Sequence, residues 1–237
     1  MHGLALIGSH LLLRALVLPL ELHLPLALDE KNDLMSCAQT GSGKTAAFLL
    51  PILQVLSKDP YGIFALILTP TRELAFQISQ QVEAFGASLP VRQCTVVGGV
   101  DMTKQSTELD RRPHVVVATP GRLADLIQGS RPPKLSKIRF LVLDEADKML
   151  GNGSQDSFAG DILAIASSFP QRRQVLTFSA TYPKNLSKRI AAIMHEAVVI
   201  RECIDDLNEE GGGSSGRSGR SGRSGSRTSG SGMNVDT

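Results

Sequence analysis

Residues 140–147 read Phe-Leu-Val-Leu-Asp-Glu-Ala-Asp, and this stretch decides the fold class. Its first half, Phe140–Leu143, is a short apolar run of the kind that forms a strand buried on both faces of a parallel sheet. Its second half, Asp144–Asp147, places acidic side chains directly after that strand. Ligands of such sheets bind beyond the carboxyl ends of the strands. The stretch therefore predicts an α/β sheet with an acidic site at that edge.

A second stretch, residues 38–45, reads Ala-Gln-Thr-Gly-Ser-Gly-Lys-Thr and predicts a phosphate-binding loop. In the general form, G-x-x-x-x-G-K-[ST], backbone N–H groups wrap the phosphates and the lysine reaches the β and γ groups. Ala38 replaces the first glycine. The apolar residues 46–50 predict a helix, which would place the anion at a helix N-terminus. The alternative is a chance glycine turn with a surface lysine. The predicted ATP-binding residues are Ala38, Gln39, Thr40, Gly41, Ser42, Gly43, Lys44 and Thr45.

The two stretches together predict a site for a nucleoside triphosphate and magnesium. Thr45 and Asp144 are the predicted Mg²⁺ ligands, Asp144 mostly through water. Lys44 and Glu145 are the predicted catalytic residues, because Lys44 reaches the transferred phosphate and Glu145 can orient and deprotonate the attacking water. The alternative for the acidic residues is a helix N-cap with solvated carboxylates.

Further short motifs follow in a specific order. They are Pro-Thr-Arg-Glu-Leu at 70–74, Gly-Gly at 98–99, Thr-Pro-Gly-Arg at 119–122 and Ser-Ala-Thr at 179–181. With this ordered set, the chain resembles the DEAD-box RNA helicases from about residue 32 to about residue 200. Residues 59–78 are most similar to the branch of that family that works in small-subunit ribosome assembly. The resemblance implies an ATP-dependent RNA helicase that uses ATP and Mg²⁺, with RNA and ribosome-assembly proteins as partners, in the nucleus, nucleolus or cytoplasm.

The resemblance also implies a path for the RNA backbone. Arginine and hydroxyl groups donate to phosphates, and glycines let the main chain approach a strand closely. None of these groups reads base edges, so binding independent of sequence is implied. Taken singly, the glycine pair and the Thr-Pro-Gly segment also suit ordinary turns. The implied RNA-binding residues are Pro70, Thr71, Arg72, Gly98, Gly99, Thr119, Pro120, Gly121 and Arg122, and the residues implied to couple the two ligands are Asp147, Ser179 and Thr181.

Strand and helix patterns alternate through the middle of the chain. This alternation predicts an α/β fold: a single RecA-like P-loop domain with a doubly wound, mostly parallel sheet and helices on both faces. The domain is expected at 29–202, between an atypical leucine-rich N-terminus at 1–28 and a disordered Gly/Ser/Arg-rich tail at 203–237. The predicted strands are 64–68, 95–97, 114–118, 140–143, 175–178 and 198–200, and the predicted helices are 72–85, 122–128 and 184–194.

The composition limits the function classes further. A formal net charge of +2 lacks the broad basic field of proteins that bind nucleic acid by charge alone. Cys37, Cys94 and Cys203 have neither metal-ligand spacing nor a disulfide pattern, which suits a reducing compartment. With no tryptophan and 2 tyrosines, an aromatic surface for stacking bases is not expected.

The first 28 residues depart from the family pattern. The family carries an adenine-recognising glutamine upstream of the phosphate loop, near Leu20 by spacing, yet no glutamine precedes Gln39. We therefore expect weaker selectivity for adenine. Our preferred interpretation is a replaced or mis-spliced N-terminus, with a weak secretory signal as the alternative. Arg14 and Glu21 interrupt the apolar run, so its uncharged stretches are too short to span a bilayer and no membrane partner is expected.

The C-terminal residues 201–237 are too few for the second RecA-like domain of the family. From Gly211 the composition is Gly, Ser and Arg, which predicts a disordered tail that attracts phosphates loosely or only solubilises the chain. In related phosphoryl transfer an arginine from a partner domain is worth roughly 10³–10⁵ in rate. We therefore expect slow ATP hydrolysis and no unwinding by this chain alone. The alternatives are a truncated isoform that binds RNA or proteins without turnover and an incomplete gene model.

Overall fold

The computed structural model of the chain describes residues 32–37, 43–59, 61–151, 158–170, 173–181, 184–194 and 197–201. These residues form a 7-stranded sheet in the order β3-β4-β2-β5-β6-β1-β7, and every described strand pairing is parallel. The strands are β1 Asp33–Cys37, β2 Ala65–Leu68, β3 Gln93–Val96, β4 Val115–Ala118, β5 Phe140–Leu143, β6 Gln174–Ser179 and β7 Ala197–Arg201.

Helices connect successive strands, as parallel pairing requires. They are α1 Lys44–Leu56, α2 Arg72–Gly86, α3 Met102–Asp110, α4 Pro120–Gln128, α5 Ala146–Leu150, α6 Ala159–Ser167 and α7 Lys184–Ala191. Among the helices of the described ranges, none is both long and apolar enough to cross a membrane.

The core lies on both faces of the sheet. On one face α1 and α2 pack against side chains of the central strands, including Ile67, Val142 and Phe178. On the other face the apolar residues of α3 to α7 pack against the alternate residues of the same strands, such as Leu66 and Leu141. Because both faces are covered, β2, β4 and β5 are buried along their whole length. This explains why they read as continuous apolar runs.

The predicted fold class is confirmed, and the predicted strands and helices lie within a few residues of the observed ones. The predicted set lacks β1, α3 and α6, and α5 was anticipated only in the alternative interpretation of the acidic residues. Residues 46–50 lie, as predicted, in the first turns of a helix, α1, which runs on to Leu56 with Pro51 inside it. The expectations for residues 1–28 and for the tail from 203 lie outside the described residues.

Candidate functional site

One edge of the sheet collects the predicted site residues. Because all described pairings are parallel, the carboxyl ends of the strands lie together there. The ends of β5, β6 and β1 lead into Asp144–Asp147, Ser179–Thr181 and Gly43–Thr45, and we call these residues the acidic half. The ends of β2, β3 and β4 lead into the remaining predicted residues, which we call the arginine half: Pro70–Arg72, Gly98–Gly99 and Thr119–Arg122. Residues 38–42 of the phosphate loop lie outside the described ranges.

The N-terminus of α1 is built to receive an anion. Gly43 precedes the helix with φ 83° and ψ 14°, a left-handed conformation that favours glycine. Its carbonyl accepts from Ala47 N at 3.1 Å, and no side chain of the described residues caps this end. Lys44, the first helical residue, is 8% exposed. The helix dipole and the buried lysine together favour a phosphate group at this end.

Asp144 follows β5 directly and is 6% exposed. Its backbone N–H donates to Leu68 O at 2.9 Å, and its Oδ1 accepts from Glu145 N at 3.1 Å. Burial raises the pKa of Asp144 to about 6, although the Lys44 cation opposes this shift. Glu145 raises the same pKa because the two carboxylates repel each other. A carboxylate in this environment favours a cation beside it.

Glu145 begins α5 in a strained conformation. Its φ of 54° and ψ of 48° lie in the left-handed region, which costs a non-glycine residue about 1–2 kcal/mol. The residue is 8% exposed, and its Oε2 forms an ion pair with Lys148 Nζ at 2.9 Å. Strain of this kind persists only where the surrounding structure holds the residue in place, and it is common at functional sites. Here it fixes the predicted water-activating carboxylate next to Asp144.

The loops after β5 and β6 are joined by hydroxyl groups. Thr181 Oγ1 donates to Asp147 Oδ2 at 2.8 Å, and Ser179 Oγ donates to Thr181 O at 2.7 Å. Asp147 Oδ1 is buried and accepts no hydrogen bond from the described residues. The structure therefore brings the three predicted coupling residues into one network, with one carboxylate oxygen left for a further donor.

In the arginine half, the glycine loop after β3 holds two arginines. Gly99 has φ +75°, and a Cβ added there would lie 2.4 Å from Arg72 Nη1. Arg122 Nη1 donates to Val100 O at 2.7 Å. Arg72 is exposed and Arg122 half-buried. The absence of a side chain at Gly99 is therefore what lets Arg72 lie against the loop, where both guanidinium groups can meet a phosphate chain.

The other predicted residues of this half stand at helix starts. Thr71 caps α2, and its Oγ1 accepts from Leu74 N at 3.3 Å. Thr119 precedes α4, its N–H donates to Val96 O at 3.0 Å, and Pro120 occupies the first turn of that helix. The turn interpretation is thus also satisfied at these positions, since a capping threonine can serve the helix without any ligand.

The chemistry of the described groups fits ATP and Mg²⁺. Thr45 offers a half-buried hydroxyl, Asp144 a buried carboxylate whose pKa is raised, and Lys44 a buried ammonium that acts on Asp144 electrostatically. Hydroxyl and carboxylate oxygens are the ligands that Mg²⁺ prefers, and Mg²⁺ commonly pairs one or two carboxylates with substrate phosphates. The donors present therefore suit a magnesium–phosphate complex.

Sequence reasoning missed Lys148. The signal was present, because a lysine placed three residues after Glu145 on one helix lies within ion-pair reach. The alternative interpretation of the acidic residues, solvated carboxylates at a helix start, is wrong for Asp144 and Glu145, since both are buried.

Comparison with known proteins agrees with this geometry. The DEAD/DEAH box helicase family model matches residues 21–189. The human protein "Probable ATP-dependent RNA helicase DDX49" is 55% identical over 168 residues, which are 71% of this chain and 35% of that protein. The "ATP-dependent rRNA helicase RRP3" of Mycosarcoma maydis is 49% identical over 160 residues, 67% of this chain and 28% of that protein.

The solved structures agree as well. The crystal structure of a DEAD box protein from the hyperthermophile Methanococcus jannaschii superimposes with a TM-score of 0.71 at 33% identity, over 78% of this chain and 49% of that chain. The chain thus spans about a third of the two curated relatives and half of the solved one. By its ordered motifs, its fold and these matches, the chain belongs to the DEAD/DEAH box helicase family.

Proposed function

We propose that this domain binds ATP with Mg²⁺ at the acidic half, binds the backbone of RNA at the arginine half, and hydrolyses ATP when both are bound. The observation that carries the proposal is the arrangement of one sheet edge. A buried lysine, an acidic motif and a hydroxyl network lie at the ends of β1, β5 and β6, and two arginines lie around the glycine loop at the ends of β2, β3 and β4.

The acidic half supplies the groups for phosphoryl transfer to water. Lys44 and the N-terminus of α1 would hold the phosphates. Thr45 and Asp144 would hold Mg²⁺, which when bound neutralises phosphate charge. Glu145 would accept a proton from the water whose oxygen bonds to the γ-phosphorus, while the bond from that phosphorus to the β,γ-bridging oxygen breaks. The products are ADP and inorganic phosphate.

The arginine half would bind RNA through its phosphates. Arg72 and Arg122 are cations beside a glycine loop that lets a phosphate chain approach. Such contacts position the strand without reading its bases. The network of Thr181, Ser179 and Asp147 would carry the presence of RNA to Glu145, because Asp147 lies two residues further along the same acidic motif.

The substrate class follows from the relatives. One of them is named as an rRNA helicase, so we propose ribosomal RNA and its assembly proteins as partners, with a nuclear or nucleolar location favoured over a cytoplasmic one. We further propose that residues 1–237, expressed alone, bind adenine weakly, turn ATP over slowly and do not unwind duplexes. Relatives of this family are longer, and an arginine from a partner domain contributes roughly 10³–10⁵ in related reactions.

A second candidate function is a module that binds RNA or proteins without turnover. The ion pair between Glu145 and Lys148, at 2.9 Å, favours it, because the ammonium occupies a carboxylate oxygen that the attacking water would need. The two candidates differ in whether Glu145 matters for any measured property.

The deciding experiment is ATP turnover by the purified chain, with and without single-stranded RNA, beside Glu145→Gln. RNA-stimulated turnover that falls 10²–10⁴-fold in the variant, as expected for loss of a general base, would support the enzyme. Equal turnover in both proteins, with RNA binding retained, would reject the enzyme in favour of the binding module.

A further inference from the structure

Lys148 carries a positive charge on α5 that balances part of the negative charge of the acidic motif, Asp144–Asp147. It lies on α5, three residues after Glu145, and the two side chains form an ion pair at 2.9 Å. The Glu145 side chain is 11% exposed, whereas that of Lys148 is 62% exposed. The ion pair therefore joins a mostly buried carboxylate to an exposed ammonium, which can move away from the carboxylate into solvent.

The influence of Lys148 extends beyond this pair. Its close contact with Glu145, and then the charges of Glu145, Asp147 and Asp144, raise the pKa of Lys148 although some burial acts the other way. The same ammonium acts on Asp144 in the opposite sense and lowers the pKa of that carboxyl. Lys148 is thus electrostatically coupled to every carboxylate of the acidic motif.

We propose that Lys148 is an internal counter-cation of the acidic motif. It positions Glu145 by the ion pair, and it competes with a divalent cation for the negative charge of Asp144, Glu145 and Asp147. The inference deepens the proposed function, because it rests on Asp144 as the metal ligand.

The physical reason is the repulsion between the ammonium and a metal ion. The ammonium is held against Glu145, the residue next to Asp144, so it repels a metal ion bound at Asp144, and more strongly where protein replaces the water. Removing the ammonium relieves this repulsion and should strengthen metal binding on the order of three- to tenfold. The loss of a merely structural lysine would leave the metal affinity unchanged or weaken it.

The test uses Mn²⁺ as the probe, with free Mn²⁺ measured by electron paramagnetic resonance and with neither nucleotide nor RNA present. Lys148→Met is compared with the unmodified chain, with Lys148→Arg, and with Lys134→Met as a control at an exposed lysine. We expect Lys148→Met to bind Mn²⁺ three- to tenfold more tightly, and the other two to match the unmodified chain. Lys148→Gln serves as a second variant should the methionine variant fail to fold.

Equal or weaker Mn²⁺ binding by Lys148→Met, or no measurable binding by any of these proteins, would overturn the proposal. So would a gain that survives in the Asp144→Asn background, because the metal would then lie elsewhere. The assay contains no ATP and no RNA, so a failure of the proposed turnover would leave this result standing, and the reverse also holds.

Discussion

The two halves of the sheet edge differ in how far their charged side chains are exposed to solvent. In the acidic half, Lys44, Asp144 and Glu145 are 8%, 6% and 8% exposed. In the arginine half, Arg72 is exposed and Arg122 half-buried. Buried charges interact strongly and are little screened by salt, which suits a compact ligand such as a triphosphate with its metal ion. Exposed arginines suit a long polyanion, whose binding releases counterions and depends steeply on salt.

The halves also differ in what holds their side chains. The acidic half is fixed by the sheet, since Asp144 N donates to Leu68 O of the neighbouring strand and Thr181 is tied to Asp147. The arginine half is fixed by a loop, through the close approach of Arg72 to Gly99 and the bond from Arg122 to Val100 O.

The largest expected effect is the loss of Lys44. Lys44→Ala should weaken binding of a fluorescent ATP analogue by roughly 10²–10³-fold, because the lysine is buried where the phosphates would lie. Lys58→Ala, at an exposed lysine just beyond the end of α1, is the control and should leave the affinity unchanged. An affinity for the analogue that stays within threefold in Lys44→Ala would contradict the assignment of the acidic half.

The next effect tests the glycine loop. In Gly99→Ala the new methyl group meets the Arg72 guanidinium and the φ of +75° becomes strained, so Arg72 must move. We expect single-stranded RNA to bind about tenfold more weakly, with a salt slope smaller by about 1, as for one lost phosphate contact. Gly160→Ala is a matched control, because Gly160 lies on α6 outside the site and a Cβ there meets nothing within 4 Å. Equal losses in both variants would show that Arg72 is not the group concerned.

A smaller effect is expected from a change at Thr181, which joins the loop after β6 to the acidic motif. Thr181→Val removes the bond to Asp147 Oδ2, and Asp147 Oδ1 already accepts nothing from the described residues. Because Asp147 is half-buried, the loss of this bond is expected to cost about 1 kcal/mol, or a few degrees in Tm. RNA should then stimulate turnover several-fold less, with the affinities for both ligands retained. Thr107→Val, which loses only a bond to a backbone carbonyl of its own helix, should leave Tm and stimulation unaffected.

The smallest effect is the pH dependence of the acidic half. Burial raises the pKa of Asp144 to about 6, so protons compete with Mn²⁺ below that pH and the apparent metal affinity should fall about twofold between pH 7.5 and 6. The stability of the metal-free fold changes in the opposite direction, because it rises as pH falls. Because the folded pKa lies above the unfolded one, the Asp144 charge destabilises the metal-free fold at neutral pH, and this cost is relieved as pH falls from 6 towards 4.

The comparison for this pH prediction is Asp144→Asn. It should show a higher Tm than the unmodified chain at pH 7.5 without metal, and the difference should shrink towards pH 4. A difference that grows as pH falls would mean that the burial of this carboxyl is not the cause.

The sequence predicted those parts of the molecule that depend on local pattern. The runs at β2, β4 and β5 were readable because both faces of those strands are buried. β1 was missed because two polar residues, Asp33 and Ser36, interrupt its apolar pattern although both are buried. Asp33 is tolerated there since its Oδ1 accepts from Val175 N at 2.7 Å, a contact between distant parts of the chain.

For the candidate site, too, the sequence predicted local motifs but not the contacts between distant parts of the chain. The ordered motifs predicted which residues lie at the edge, but the approach of Arg72 to Gly99 and the burial of Glu145 depend on how separate loops pack. The left-handed conformation of Glu145 has no signature in the sequence, because a non-glycine residue is held in that region only by its surroundings.

If the two halves of the sheet edge bind different ligands, a substitution in one half should weaken the binding of one ligand and leave the other unchanged. The affinity for single-stranded RNA without nucleotide, and the affinity for the ATP analogue without RNA, would be measured for Lys44→Ala and Gly99→Ala. We expect Lys44→Ala to lose only the ATP analogue and Gly99→Ala to lose only RNA. Loss of RNA binding in Lys44→Ala as large as that in Gly99→Ala would contradict this expectation, because both ligands would then depend on one surface.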